Sequence, residues 1–191
     1  MFFKTKKGES ISSFRSISIN FSLALLVSSG SLVAKNIPYE ERIIKENSPL
    51  STIIVKKMLM LPKKEVSTIS KRVKLRLNKT IYRTYIAYNG DEVEHYGIIL
   101  SRVIRTKKAT VLYMIDKNDA ISSIEILSFK EPSEYKPNNA WQNSLIGKTI
   151  NNEVKAGYDI PTISGATMSA FSITDGARLA LALAQMIKWN L

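Results

Sequence analysis

The stretch "TIYRTYIAYNGDEVEHYGIILSRVI", residues 80–104, decides the fold. Tyr82, Tyr85, Tyr88, Val93, Tyr96, Ile98 and Ile99 lie on either side of Asn89-Gly90-Asp91. Asn-Gly between aromatic and β-branched runs predicts a hairpin, because the turn needs a residue tolerant of left-handed backbone and the runs suit a pleated, half-buried surface. Residues 109–129, "ATVLYMIDKNDAISSIEILSF", repeat the pattern with "DKND" as the turn. Together, residues 80–130 predict about four antiparallel strands.

Downstream, residues 159–176 read "DIPTISGATMSAFSITDG". A helix is expected from Thr167 to about Trp189, rich in the strong helix formers Ala and Leu. Ile173, Ala177, Leu181 and Ala184 fall on one face, and Asp175 and Arg178 pair at i, i+3 on another. Ser164 or Thr167 is expected to cap this helix by accepting from a backbone N–H. Between sheet and helix, residues 130–148 form a loop-rich segment with Pro132, Pro137, Asn138, Asn139 and Trp141.

Upstream, "LSTIIVKKMLMLPKK" (residues 50–64) places Ile53, Ile54, Met58 and Leu61 on one helical face, with Pro62 as the stop. "STISKRVKLRL" (67–77) fits a helix through Ile69, Val73 and Leu77 and a strand through Val73, Leu75 and Leu77. Periodicity leaves both readings open. Residues 35–49 read as a linker or one loose helical turn. The first 34 residues have the order of a secretory signal: basic Lys4 to Arg15, apolar Ile17 to Val27, then small residues to Ala34. The segment is a signal peptide or, uncleaved, an anchor, which implies a periplasmic or cell-envelope location. The expected organisation is residues 1–34 as the address, 35–49 as the linker and 50–191 as one domain. The fold class is α+β: an antiparallel sheet packed by a C-terminal helix and an N-terminal helical segment.

Composition narrows the chemistry. The chain has no cysteine, which excludes disulfides, Fe–S clusters and thiolate zinc sites. A single histidine, His95, excludes a His-cluster metal site. The formal charge is +12, of which the first 34 residues supply +3, so the remainder favours anionic partners. "IGKT" at residues 146–149 lacks the earlier glycine of a phosphate-binding P-loop, since position 142 is Gln142. Ser164 lacks the flanking glycines of a hydrolase nucleophile elbow, because Thr162 and Ala166 stand there. The tyrosines and cations of 71–88 suggest single-stranded nucleic-acid binding, against an ordinary strand pair with solvated lysines.

The Ser164-Gly165-Ala166-Thr167 turn has two readings of its own: a helix start, or an anion site where free N–H groups and the helix dipole meet the Thr167 hydroxyl. "TISGATMSAFSITDGAR" resembles the flavinylation motif of the FMN-binding domain family, whose shared core is Ser-Gly-Ala-Thr. The segments "YIAYNGDEVEHYGIIL", "DAISSIEILSFKEPSEYKP" and "NNAWQNSLIGK" resemble the upstream parts of that domain, so the likeness covers residues 80–180. It implies covalent FMN on Thr167 through a phosphoester, made by a flavin transferase that uses FAD, with Ser164, Gly165 and Ala166 shaping the approach. It also implies membrane or periplasmic redox partners, no nucleic acid, and an electron-transfer role in place of self-sufficient catalysis. Trp141, Tyr135 and the sheet tyrosines are candidate ring neighbours. The family usually has an aspartate six residues before the threonine; here Pro161 stands there and Asp159 is the nearest acid. Either Asp159 substitutes through a loop adjustment, or attachment is inefficient or absent. The alternatives are a flavin-free adaptor on the same scaffold and a basic membrane-surface or nucleic-acid-binding module.

Overall fold

The computed structural model describes residues 37–191, so the expected signal or anchor at 1–34 lies outside the described residues. Both expected hairpins are present. Strands β2 (Ile81–Asn89) and β3 (Glu92–Val103) turn at Gly90-Asp91, and β4 (Lys108–Asp116) and β5 (Ile121–Phe129) turn through Lys117-Asn118-Asp119. Asp116 Oδ1 closes the second turn by accepting from the N–H groups of Asn118 (2.9 Å) and Ala120 (3.0 Å).

A fifth strand corrects the sequence reading. Residues 53–60, expected as a helix, form β1 (Ile53–Met60), which pairs antiparallel with β2 from Ile53↔Tyr88 to Met60↔Ile81. Of the residues expected on a buried helical face, Ile53 and Met58 are exposed and only Leu61, beyond the strand, is buried. The β-branched run Ile53-Ile54-Val55 and the unpaired edge of β2 outweigh a helical periodicity that had no partner surface. β1 ends the sheet order β1-β2-β3-β4-β5 and carries Lys56 and Lys57, which discourage further edge pairing. Pro62 does not stop a helix; it precedes α2 (Lys63–Val73). The open reading of 67–77 resolves into the end of α2, with Ile69 and Val73 buried and Lys74 closing the helix in a left-handed conformation. The stretch expected as a linker or loose turn carries a nine-residue helix, α1 (Tyr39–Asn47).

The sheet is covered on both faces. On one, Tyr82, Ile86, Tyr96, Ile98, Val111, Tyr113 and Ile115 join the apolar side of α4 (Thr167–Trp189) and α2 in one core. On the other, Ile44 of α1 packs with Tyr85, Ala87, Leu112 and Met114. Ser48, just beyond α1, meets His95 Nδ1 on β3 at 2.7 Å, so the only histidine ties α1 to the sheet. The architecture is α+β, as the sequence predicts, with α1 and α2 as the N-terminal helical part.

The helix α4 sits close to β4. Ile173, Ala177, Leu181 and Ala184 are all buried, and the Tyr113 hydroxyl donates to Ile173 O at 3.0 Å. Gly176 makes this approach possible. A methyl group there would lie 2.9 Å from Tyr113 Cζ and closer still to the hydroxyl oxygen. Burial raises the Tyr113 hydroxyl pKa, so the phenol stays a neutral donor. Asp175 and Arg178 form the expected pair at 2.6 Å, and Arg178 also donates to Val73 O (3.2 Å) and Val154 O (2.9 Å). One guanidinium thus fastens α4 to α2 and to the loop ahead of the Ser-Gly-Ala-Thr turn. Among the described residues no helix is long and apolar enough to cross a membrane.

Gly176→Ala is expected to destabilise the protein by about 1–3 kcal/mol in urea denaturation, the usual cost of overpacking a fixed core contact. Tyr113→Phe in the same chain should recover part of that loss, because it removes the nearest atom. Additive losses in the double variant would contradict the contact.

Candidate functional site

Thr167 opens α4, and three tethers place it there. Trp141 on α3 (Asn139–Asn143) donates its indole N–H to Pro161 O at 2.7 Å, while Asn138 Oδ1 caps α3 by accepting from Trp141 N–H. Asp159 accepts from Lys155 N–H (2.7 Å), Val154 N–H (3.2 Å) and Lys148 Nζ (3.1 Å). Burial alone would raise the Asp159 carboxyl, but these hydrogen bonds and the lysine charge hold it below the ordinary value. Gly165 then turns the chain into the helix with φ +76, a left-handed conformation that a side chain disfavours.

The helix start departs from the expected capping. The N-cap is Ala166, with no side-chain cap, and neither Ser164 nor Thr167 plays that part. Ser169 and Ala170 N–H groups reach back to Ala166 O (3.0 and 3.2 Å). Those of Thr167 and Met168, in the first turn, have no intrahelical acceptor. The exposed Thr167 hydroxyl lies 3.4 Å from Ile163 O, too long for a firm O–H···O bond.

Beside it is a pocket of about 220 Å³ lined by Ile104, Arg105, Glu131, Tyr135 and residues 165–169. Gly165, Ala166 and Thr167 therefore form its wall, whereas Ser164 is exposed and does not line it. Tyr135 reaches the pocket, but Trp141 is buried in the core, and so are Tyr82, Tyr85, Tyr96 and Tyr113. Asp159 does not line the pocket either; the acid that does is Glu131. Glu131 Oε1 accepts from the N–H groups of Lys107 and Thr106 (both 2.7 Å) and Arg105 (3.1 Å), clamping the β3–β4 turn against Thr167's pocket. Those backbone donors hold the Glu131 carboxyl below its ordinary value.

Sequence reasoning missed Arg105, Glu131 and Ser169. Arg105 and Glu131 are brought in by the turn and by β5, far from Thr167 in sequence. Ser169 carries the sharper signal. It is 1% exposed, lines the pocket, and its Oγ has no hydrogen-bond partner among the described residues. A buried unpaired hydroxyl is costly unless something else satisfies it. Together with the first N–H groups of α4, the helix dipole and Arg105, it offers donors suited to an anion, while the Glu131 carboxylate on the same pocket is taken up by the β3–β4 turn.

Residues 106–182 match the family model of the FMN-binding domain. That match supports an FMN-binding domain family for this part of the chain. No curated protein matches the chain. The matched range runs from the Glu131-clamped turn into α4 and so contains Glu131, Tyr135, Thr167 and Ser169, with Arg105 one residue outside it. The match supports flavin binding. At about 220 Å³ the pocket is smaller than the roughly 300–1,000 Å³ usual for whole drug-sized ligands. Exposed Met168 and Phe171, the latter one turn beyond Thr167, offer apolar surface next to it.

The clamp gives a pH signature. A depressed carboxyl contributes stability that is fully present above its unfolded value, near 4.5, and is lost as pH falls through the folded value. Amide-exchange protection at Arg105, Thr106 and Lys107 should therefore hold at neutral pH and decline in acid. In Glu131→Ala, which removes the acceptor, it should be low throughout; unchanged protection in that variant would show that the clamp is not formed.

Proposed function

We propose that this protein is an exported flavoprotein with FMN covalently bound to Thr167, serving as an electron-transfer module. The observation that carries the reading is the exposed Thr167 hydroxyl at the mouth of a pocket containing a buried, unpaired Ser169 hydroxyl. Thr167 contributes its side-chain oxygen to a phosphoester and gives up its proton to the flavin transferase. The transferase releases AMP from FAD in the same exchange. The N–H groups of Thr167 and Met168, the Ser169 hydroxyl and Arg105 hold the phosphate oxygens. Tyr135, Met168 and Phe171 supply apolar contact beyond the phosphate. When bound, the flavin accepts electron pairs and passes single electrons on, so the chain needs neither cysteine nor a second histidine. Tethering keeps the flavin at high effective concentration without a deep pocket.

Pro161 in place of the usual aspartate bears on the attachment step. Asp159 is committed to its own loop through three donors, so the reading gives it no part in flavin transfer. Export rests on the N-terminal sequence alone, and redox partners in the membrane or periplasm follow from it.

Co-expression with a flavin transferase should add the mass of FMN, less water, to the intact chain and give a fluorescent band in a denaturing gel. Thr167→Ala should abolish both. Ser169→Ala should reduce the modified fraction several-fold while leaving the fold intact by circular dichroism. An unshifted wild-type mass, or a shift that survives Thr167→Ala, would overturn covalent attachment at this residue.

A further inference from the structure

The positive charge of the described body is concentrated in one stretch of the chain. Residues 56–83 carry ten lysines and arginines against the single acid Glu65. From residue 84 to 191, eleven basic residues meet eleven acidic ones, and residues 37–55 hold two against three. The whole positive excess thus lies on β1, α2, the loop after it and the start of β2. All ten of these cations are exposed, and among the described residues only Arg83 has an ion-pair partner, Glu40 at 2.9 Å. Such a run of unpaired charge at a sheet edge repels itself and is costly without an anionic partner.

Apolar side chains protrude among the charges. Met58 and Met60 point from alternate positions of β1 to the same face, opposite Arg83 and Ile81 of β2. Met58 is 57%, Met60 70% and Ile81 48% exposed. Met58, Ile81, Arg76, Lys79 and Arg83 line one groove of about 800 Å³, and Tyr39 and Glu40, at the start of the described chain, border it. We propose that this β1–α2–β2 edge docks on an anionic lipid surface, with the lysines and arginines over the headgroups and Met58, Met60 and Ile81 entering the headgroup–acyl boundary. Flexible aliphatic residues ringed by lysine and arginine suit that interface. Single-stranded nucleic acid is disfavoured, because stacking successive bases needs several exposed aromatic rings, and beside this groove Tyr39 alone is exposed while Tyr82 is buried. Val103 lines this groove and its neighbour Ile104 lines the Thr167 pocket, so the two cavities adjoin along β3.

Co-sedimentation of the full chain with phosphatidylcholine vesicles, with and without phosphatidylglycerol, tests this. Residues 1–36 are common to every variant, so differences report the edge. Binding to the anionic vesicles should fall by about tenfold or more in Lys56→Gln/Arg76→Gln/Lys79→Gln, each cation near the surface contributing comparably. Met58→Ser/Met60→Ser should weaken the binding that survives high salt. The charge-matched control Lys117→Gln/Lys130→Gln/Lys136→Gln, outside the patch, should bind as wild type. Equal losses in patch and control variants, wild-type binding indifferent to phosphatidylglycerol, or tighter binding to a single-stranded oligonucleotide with the same loss in the patch variant would each overturn the proposal. The outcome is independent of flavin and is read equally in Thr167→Ala.

Discussion

The close seating of α4 on β4 is the constraint on which the rest depends. Gly176 lets the helix backbone come against the Tyr113 ring, and the Tyr113 hydroxyl fixes the height of the helix through Ile173 O. Arg178 then fastens the same helix to α2 and to the loop at Val154. With its middle held from three sides, the N-terminus of α4 has a set position against the β3–β4 turn. Thr167 faces Arg105 and Glu131 because Gly176, more than two helical turns away, lacks a side chain.

Around that anchor, the polar groups divide cleanly between scaffold and site. Asp159, Trp141 and Glu131 spend most of their hydrogen bonds on backbone, holding the loops around the pocket. The Ser169 hydroxyl and the first N–H groups of α4 are left over. Loops fastened by buried hydrogen bonds present unsatisfied donors without collapsing onto them, which is what an anion site requires. The same economy explains why the sheet tyrosines do not form a flavin wall: Tyr82, Tyr96 and Tyr113 are needed in the core beneath α4 and Tyr85 in the core beneath α1.

Much of this was legible in the sequence. The two hairpins were readable because Asn89-Gly90 and the Asp116–Asp119 turn carry local turn chemistry between β-rich runs. The helix from Thr167 was readable because Ile173, Ala177, Leu181 and Ala184 repeat at helical spacing. β1 was not, because its pattern is helical in isolation and its strand identity comes from the open edge of β2. In the site, Thr167, Gly165 and Ala166 were visible as one contiguous turn, but Ser164 stands outside the pocket and the expected caps are absent. Arg105 and Glu131 were invisible, since nothing local marks a turn and a strand end that meet a helix about 40–60 residues later.

The sequence by itself determined the hairpins, the long C-terminal helix, the Ser-Gly-Ala-Thr turn at its start and the excess of positive charge, because each is written in short-range chemistry or in composition. Only the tertiary structure decided that 53–60 is an edge strand and that Ser169 is buried without a partner. It alone set Glu131 and Arg105 beside Thr167 and brought Arg76, Lys79 and Arg83 to one groove with Met58 and Ile81. These depend on which surfaces meet, and that follows from packing between distant segments, a property no local window of residues contains.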